Sequence, residues 1–305
     1  MFGPALIVLP VFGLIALGYL ARRFGLLTDR AGEGISEFVF ALAVPCLIAR
    51  TLARAEIPAA QPWGYWLAYF TGVACVWVLA TLAARRFFGV TGTAGVVSGF
   101  AAGQANTVFM GVPIILKAYG DAGAVPLFLL IAVHLPVTMS LATLLVEGRS
   151  ASPLLLLRRI LGHPIIVGIF VGAALRITGL PLPDLVWQGV DLVAGAAVPC
   201  SLIAMGIALR RYGLEAGWRL PAVITGLKLG LHPLIVYGLA TQVFAMPPAW
   251  SGVAVLFAAC PSGVNAYLFA ERYGEGVAVA SSAVALSTAL SLVTLLVWLR
   301  VLGVG

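Results

Sequence analysis

The chain has 305 residues, 62% of them hydrophobic and only 10% charged, with a mean hydropathy of +1.08. Soluble domains carry about 25% charged residues, so a water-soluble globular protein is excluded and an all-α integral membrane protein is expected. A formal net charge of +7 would suggest acidic partners in a soluble protein. In a membrane protein it reflects arginines gathered in cytoplasmic loops, so the expected surroundings are a lipid bilayer and not nucleic acid.

With about 20 apolar residues needed per crossing, ten spans are predicted, at residues 4–21, 35–53, 63–84, 92–117, 122–146, 162–178, 185–209, 219–244, 250–271 and 277–300. The first resembles a signal peptide in position only. It lacks a basic leader, and its positive charges, Arg22 and Arg23, follow the apolar run. Cys46, Cys75, Cys200 and Cys260 all fall in apolar runs, where thiols act as small hydrophobes. No CxxC or Cys/His cluster points to a metal, and no cofactor is expected.

Span four carries the stretch 98–120, whose middle does not suit a lipid-facing helix. Gln104, Asn106 and Thr107 are polar, Gly99, Gly103 and Gly111 loosen the backbone, and Pro113 cannot donate to the carbonyl of Phe109. Backbone groups freed inside hydrocarbon cost several kcal/mol unless protein, water or a ligand satisfies them. A broken helix lining a transport site is therefore expected here.

The most polar connection, 147–159, lies near the middle of the chain. It divides the sequence into 1–148, a linker at 149–160, and 161–305. The two halves repeat. At an offset of 154 positions Pro10, Gly18, Arg22, Gly25 and Leu26 meet Pro164, Gly172, Arg176, Gly179 and Leu180, and AVPC at 43–46 meets AVPC at 197–200. Five spans per half place the second half upside down relative to the first, an inverted repeat of the kind secondary transporters use. Twelve arginines then fall in inner loops against five arginines and lysines outside, if both termini are outside. Pro45 and Pro199 are expected to kink their helices symmetrically, with Cys46, Cys200 and Ser201 on a sliding surface.

Span nine mirrors span four. It breaks at Pro261-Ser262-Gly263 with Asn265 just beyond, and FAAGQAN at 100–106 aligns with FAACPSGVN at 257–265 after a two-residue insertion. Two broken helices in inverted repeats can cross at their breaks. The second half of each then offers free N–H groups to an anion, with Asn106 and Asn265 expected both to cap those halves and to contact the ligand.

At these residues the sequence resembles the auxin efflux carrier family, which groups bacterial and archaeal organic-acid transporters with plant auxin exporters. The resemblance is carried by Asn106-Thr107-Val108-Phe109-Met110-Gly111-Val112-Pro113, by Pro261-Ser262-Gly263-Val264-Asn265-Ala266 and by Glu271-Arg272-Tyr273-Gly274. It implies a fold similar to that of the bile-acid sodium symporters, with spans 1, 2, 6 and 7 as scaffold and spans 3–5 and 8–10 as a moving transport domain. It further implies an elevator-like cycle, a homodimer, and small organic acids such as malonate, malate or indole acetate as substrates.

Other polar residues carry two readings each. Lys228, with His232 one turn later on the same face, either snorkels to the interface or is a fixed cation supporting the crossover. His232 is a proton carrier or a packing histidine before Pro233. His134 lines the cavity or caps a kink. Glu271 forms an interface ion pair with Arg272, with pairing to Lys228 as the minority reading. His163 is read as interfacial, and Asp191 receives no role.

The leading reading is a secondary transporter of organic carboxylates in the cytoplasmic membrane. Its substrate site comprises Gln104, Asn106, Thr107, Pro113, Pro261, Ser262, Gly263 and Asn265, with Lys228, His232, His134 and Glu271 as electrostatic or coupling residues. Protons are the preferred coupling ion because no membrane carboxylate cluster suggests a sodium cage. Sodium-coupled symport of bile-acid type, a ligand-sensing receptor and an intramembrane enzyme are the rivals. The last lacks a paired-aspartate, GxSxG, HExxH or Cys/His motif.

Overall fold

The computed structural model describes residues 3–55, 63–148, 158, 161–212 and 217–304. The linker at 149–160 lies, apart from Arg158, outside the described residues. Every extended element among the described residues is helical, as a chain this apolar requires if its backbone polar groups are to be satisfied in lipid.

The helices are α1 (Gly3–Arg23), α2 (Asp29–Phe38), α3 (Val44–Arg54), α4 (Trp63–Phe88), α5 (Gly92–Gly103), α6 (Val112–Glu147), α7 (Pro164–Thr178), α8 (Asp184–Leu209), α9 (Arg219–Gly226), α10 (His232–Tyr237), α11 (Pro248–Ala259), α12 (Val264–Tyr273) and α13 (Val277–Val301). Several join end to end. Seven stretches among the described residues are long and apolar enough to cross a membrane: Gly3–Arg23, Asp29–Arg54, Trp63–Phe88, Thr107–Glu147, Asp184–Leu209, Arg219–Val243 and Val277–Val301. The fourth has 41 residues, about 60 Å of helix and twice the ~30 Å of a hydrocarbon core. Gly120 interrupts it with φ 54° and ψ −139°, a conformation that only glycine adopts freely.

Four π turns stand at the ends of these pieces among the described residues. Three of them, Val39–Ala43, Thr107–Gly111 and Leu227–Leu231, each stand directly before an Xaa-Pro pair, at Pro45, Pro113 and Pro233. Proline in a helix clashes with the carbonyl four residues back, and the extra residue of a π turn relaxes that clash without stopping the helix. Two expectations are corrected here. Pro113 does not break span four, since the chain is helical on both sides of it and the break lies upstream at 104–106. Pro45 and Pro199 are not equivalent, since a π turn precedes Pro45 whereas Pro199 sits inside the uninterrupted α8.

The helices pack in two groups. α1 lies along α8, α3 lies along α7 and α8, and α2 lies against α8; α4, α5, α6 and α9–α13 pack among themselves. Small residues set the closest approaches in the first group. A Cβ on Gly18 would meet the backbone of Ile203, and one on Gly172 would stand 2.7 Å from the carbonyl oxygen of Ala49. Gly18 and Gly172 are repeat mates at the offset of 154, and so are Ala49 and Ile203. The two contacts thus pair the same two positions at that offset. At one end of this group Arg22 donates to Asp29 at 2.8 and 2.7 Å, and Arg211 pairs with Asp29 and Glu33. At the other end Asp191 pairs with Arg50 at 3.3 Å and Arg54 at 3.5 Å, the partners the sequence left unassigned.

Candidate functional site

The two broken helices meet back to back. α5 ends at Gly103 and the chain runs extended through Gln104 and Ala105 before a tight turn at Asn106, where the Thr107 N–H donates to the Ala105 carbonyl at 2.9 Å; α11 ends at Ala259 and the chain leaves the helix through Cys260 to Gly263. These segments pair antiparallel at Ala105 and Ser262. The Asn106 N–H donates to the Pro261 carbonyl at 2.8 Å and the Gly263 N–H to the Gln104 carbonyl at 2.9 Å. Each break thus satisfies backbone groups that the other leaves open. The approach is close: a Cβ on Gly263 would stand 2.8 Å from the carbonyl oxygen of Ala105.

Side chains secure the crossing. The Ser262 hydroxyl donates to the carbonyl of Ala101 at 2.8 Å, near the C-terminus of α5, and the Ser262 N–H donates to Ser287 Oγ at 3.0 Å. Thr138 on α6 donates to Gln104 Oε1 at 2.6 Å. Gln104 is therefore fully buried and held in the support of the crossing.

Buried basic side chains stand behind each break. His134 Nε2 accepts the Ala105 N–H at 3.3 Å, so the neutral ring carries its proton on Nδ1, which donates to the Tyr69 hydroxyl at 3.0 Å. Lys228, fully buried, donates from Nζ to the Ala258 carbonyl at 2.7 Å and lies 3.1 Å from His232 Nδ1. Carbonyls at a helix C-terminus lack intrahelical donors and favour a nearby cation. Lys228 does not snorkel, because its ammonium points inward to the second break.

On the open side of the crossing lies a cavity of about 200 Å³ lined by Asn106, Thr107, Gly263 and Asn265. The first residues after each break, Val108 and Phe109 on one side and Val264 and Asn265 on the other, also line it. Helix-start N–H groups are the ones without intrahelical acceptors, so the cavity combines amide donors with the positive ends of two helices.

The asparagines are not caps. Asn106 holds the N-cap position of its half, but its side chain makes no capping bond; Nδ2 points instead to Met205 Sδ on α8 at 3.4 Å. Asn265 lies inside α12, whose N-cap is Gly263, so its carboxamide is left to the cavity. Pro113 and Pro261 act through the backbone: Pro113 follows the π turn and Pro261 supplies the carbonyl that receives Asn106. Glu271 is not part of this group. Its carboxylate accepts from the Tyr267 hydroxyl at 2.5 Å one turn back, while Arg272 pairs with Glu147 at 3.7 Å. Neighbours on a helix point about 100° apart and do not face one another, which removes the expected Glu271–Arg272 pair.

Three residues escaped the sequence reading. Tyr69 and Met205 sit in apolar spans, where such side chains read as core. His163 was set aside as interfacial, yet it caps α7 and lines the cavity; its place directly before Pro164 marked it as a helix start.

The chain matches the family model described as "Membrane transport protein" over residues 6–299. It is 32% identical to a Rhizobium meliloti protein named "Putative malonate transporter", covering 94% of this chain and 92% of that one. It is also 27% identical to an "Uncharacterized transporter" of Methanothermobacter thermautotrophicus over 97% of both chains, and 22% identical to another of Methanocaldococcus jannaschii over 97% of both.

Proposed function

Because the chain belongs to the auxin efflux carrier family of membrane transport proteins, we propose that it carries small organic carboxylates, malonate-like dicarboxylates foremost, by secondary active transport. It is a multi-pass membrane protein, and its family and relatives are transporters rather than enzymes. The observation that carries the proposal is the antiparallel crossing at Ala105 and Ser262, with Asn106 and Asn265 on its open side. A carboxylate placed there meets two carboxamides and two helix starts, the neutral donors that suit an anion which must also be released.

In this reading ten spans form two inverted repeats in the cytoplasmic membrane, with both termini outside. The exchanged contacts Gly18–Ile203 and Gly172–Ala49 support the repeat, and the two packing groups match a scaffold of spans 1, 2, 6 and 7 and a transport domain of the remainder. The cavity borders both groups, since Phe40 and Ile165 line it opposite Asn106 and Asn265. That placement suits an elevator in which the crossing moves past the scaffold, and a homodimer would hold the scaffold still. Lys228 and His134 favour protons over sodium, because an ammonium already occupies the Ala258 carbonyl that a cation would use.

Labelled malonate flux into liposomes, with pH or sodium gradients imposed separately, tests this. A pH gradient drives uptake in the proposed mechanism. Flux that ignores both gradients makes the protein a uniporter, and binding without flux makes it a receptor.

A further inference from the structure

Beside the cavity at the crossing lies a second lobe of about 200 Å³ that reaches Arg272 and Thr143. The two lobes share Ile131, Leu135, His163, Ile165 and Asn265, so they adjoin across one wall. We propose that the second lobe is a carboxylate subsite, in which Arg272 and His163 take the distal carboxylate of an aliphatic dicarboxylic acid whose first carboxylate lies at the crossing. The inference rests on the crossing being a carboxylate site and adds the residues that choose two carboxylates over one.

The geometry follows from α12. Asn265 and Arg272 are seven residues apart, two turns on one face, or about 10 Å along the axis. Side chains lean toward the N-terminus of their helix, which brings the guanidinium back toward Asn265. Leu135 and Ile131 stand between the polar ends and suit a methylene chain. His163 Nδ1 accepts the Ile165 N–H at 3.4 Å, so the proton of the neutral ring lies on Nε2 and gives the cavity a donor. The crossing offers neutral donors only, whereas Arg272 brings a full charge with bidentate geometry.

Arg272 is able to change partner. Its contact with Glu147 is long, at 3.7 Å, and its side chain is 48% exposed, so that pair contributes little. Glu147 keeps the Tyr273 hydroxyl at 2.5 Å when the guanidinium turns away. A bound dicarboxylate replaces a weak, hydrated pair with a better enclosed one.

The test is equilibrium binding of succinate and butyrate, four-carbon acids with two carboxylates and one, to the purified full chain in detergent. Wild type binds succinate tighter than butyrate by about tenfold or more, the span of one charge-assisted contact. Arg272→Gln collapses that ratio to near one, Arg272→Lys retains part of it, and His163→Asn, which preserves a capping oxygen, reduces it. Glu147→Gln removes the competing carboxylate and raises succinate affinity. Asn106→Ala weakens both acids together. An unchanged succinate-to-butyrate ratio in Arg272→Gln overturns the subsite while leaving the crossing in place. Failure of the wild type to bind either acid overturns both readings.

Discussion

At the first break the chain carries polar side chains, Gln104, Asn106 and Thr107, and leans on a neutral imidazole that accepts an N–H. At the second it carries Pro261, Ser262 and Gly263, and leans on an ammonium that donates to a carbonyl. The backbones mirror one another and the supports are opposite. The crossing leaves an outward N–H on each strand, taken by His134 behind Ala105 and by Ser287 behind Ser262, while the helix-end carbonyls of Ala101 and Ala258 receive the Ser262 hydroxyl and the Lys228 ammonium. The same asymmetry appears on the open face, where Asn106 is tethered to Met205 on α8 while Asn265 is free to meet a ligand. The two breaks thus share a backbone arrangement, and local chemistry sets what each break does.

The largest effect should come from Gly263. The Cβ of Gly263→Ala collides with the Ala105 carbonyl, backbone against backbone, so the crossing opens, at about 1–3 kcal/mol or more, and uptake is lost. Ala105, whose carbonyl receives that Cβ, already carries a methyl of its own, and Ala105→Gly should leave most of the flux. Equal damage at both positions would show that the contact is not as one-sided as the structure makes it.

Next comes the charge behind the second break. Lys228→Ala removes a cation that stands behind the crossing without lining the cavity, and should weaken carboxylate binding by roughly tenfold, the worth of a charge near a helix end; Lys228→Arg should weaken it less. Removing a buried charge gains stability while stranding the Ala258 carbonyl loses it, so Lys228→Met should lose binding with little change in the melting temperature. A melting temperature that falls in step with binding would make Lys228 structural only.

A smaller effect is expected at His134. His134→Phe strands the Ala105 N–H and should destabilise the protein by about 1–3 kcal/mol, with flux reduced rather than abolished. Both readouts unchanged would mean that the first break needs no support.

Much of this is legible in the sequence alone. Composition dictated a helical membrane protein, and matched Pro, Gly and Cys at one offset pointed to paired breaks at Asn106 and Asn265. The rest was hidden for physical reasons. A π turn leaves no mark in composition, so Pro113 looked like the break when the wider turn before it had already removed the clash. Adjacent charges such as Glu271 and Arg272 look paired in a sequence and diverge on a helix. Met205 and Tyr69 are indistinguishable from core residues until the chain folds around them. His163 lies 57 residues beyond Asn106 in the chain and joins it only because α7 begins beside the crossing.

Transport at the crossing requires that both asparagines hold the substrate. Malonate binding and uptake should be measured for Asn106→Ala and Asn265→Ala in protein of wild-type melting temperature. Each substitution should lower affinity by roughly 10- to 150-fold, as loss of a hydrogen bond to a carboxylate requires, and should abolish concentrative uptake. Wild-type binding and uptake in both variants would remove the crossing as the substrate site.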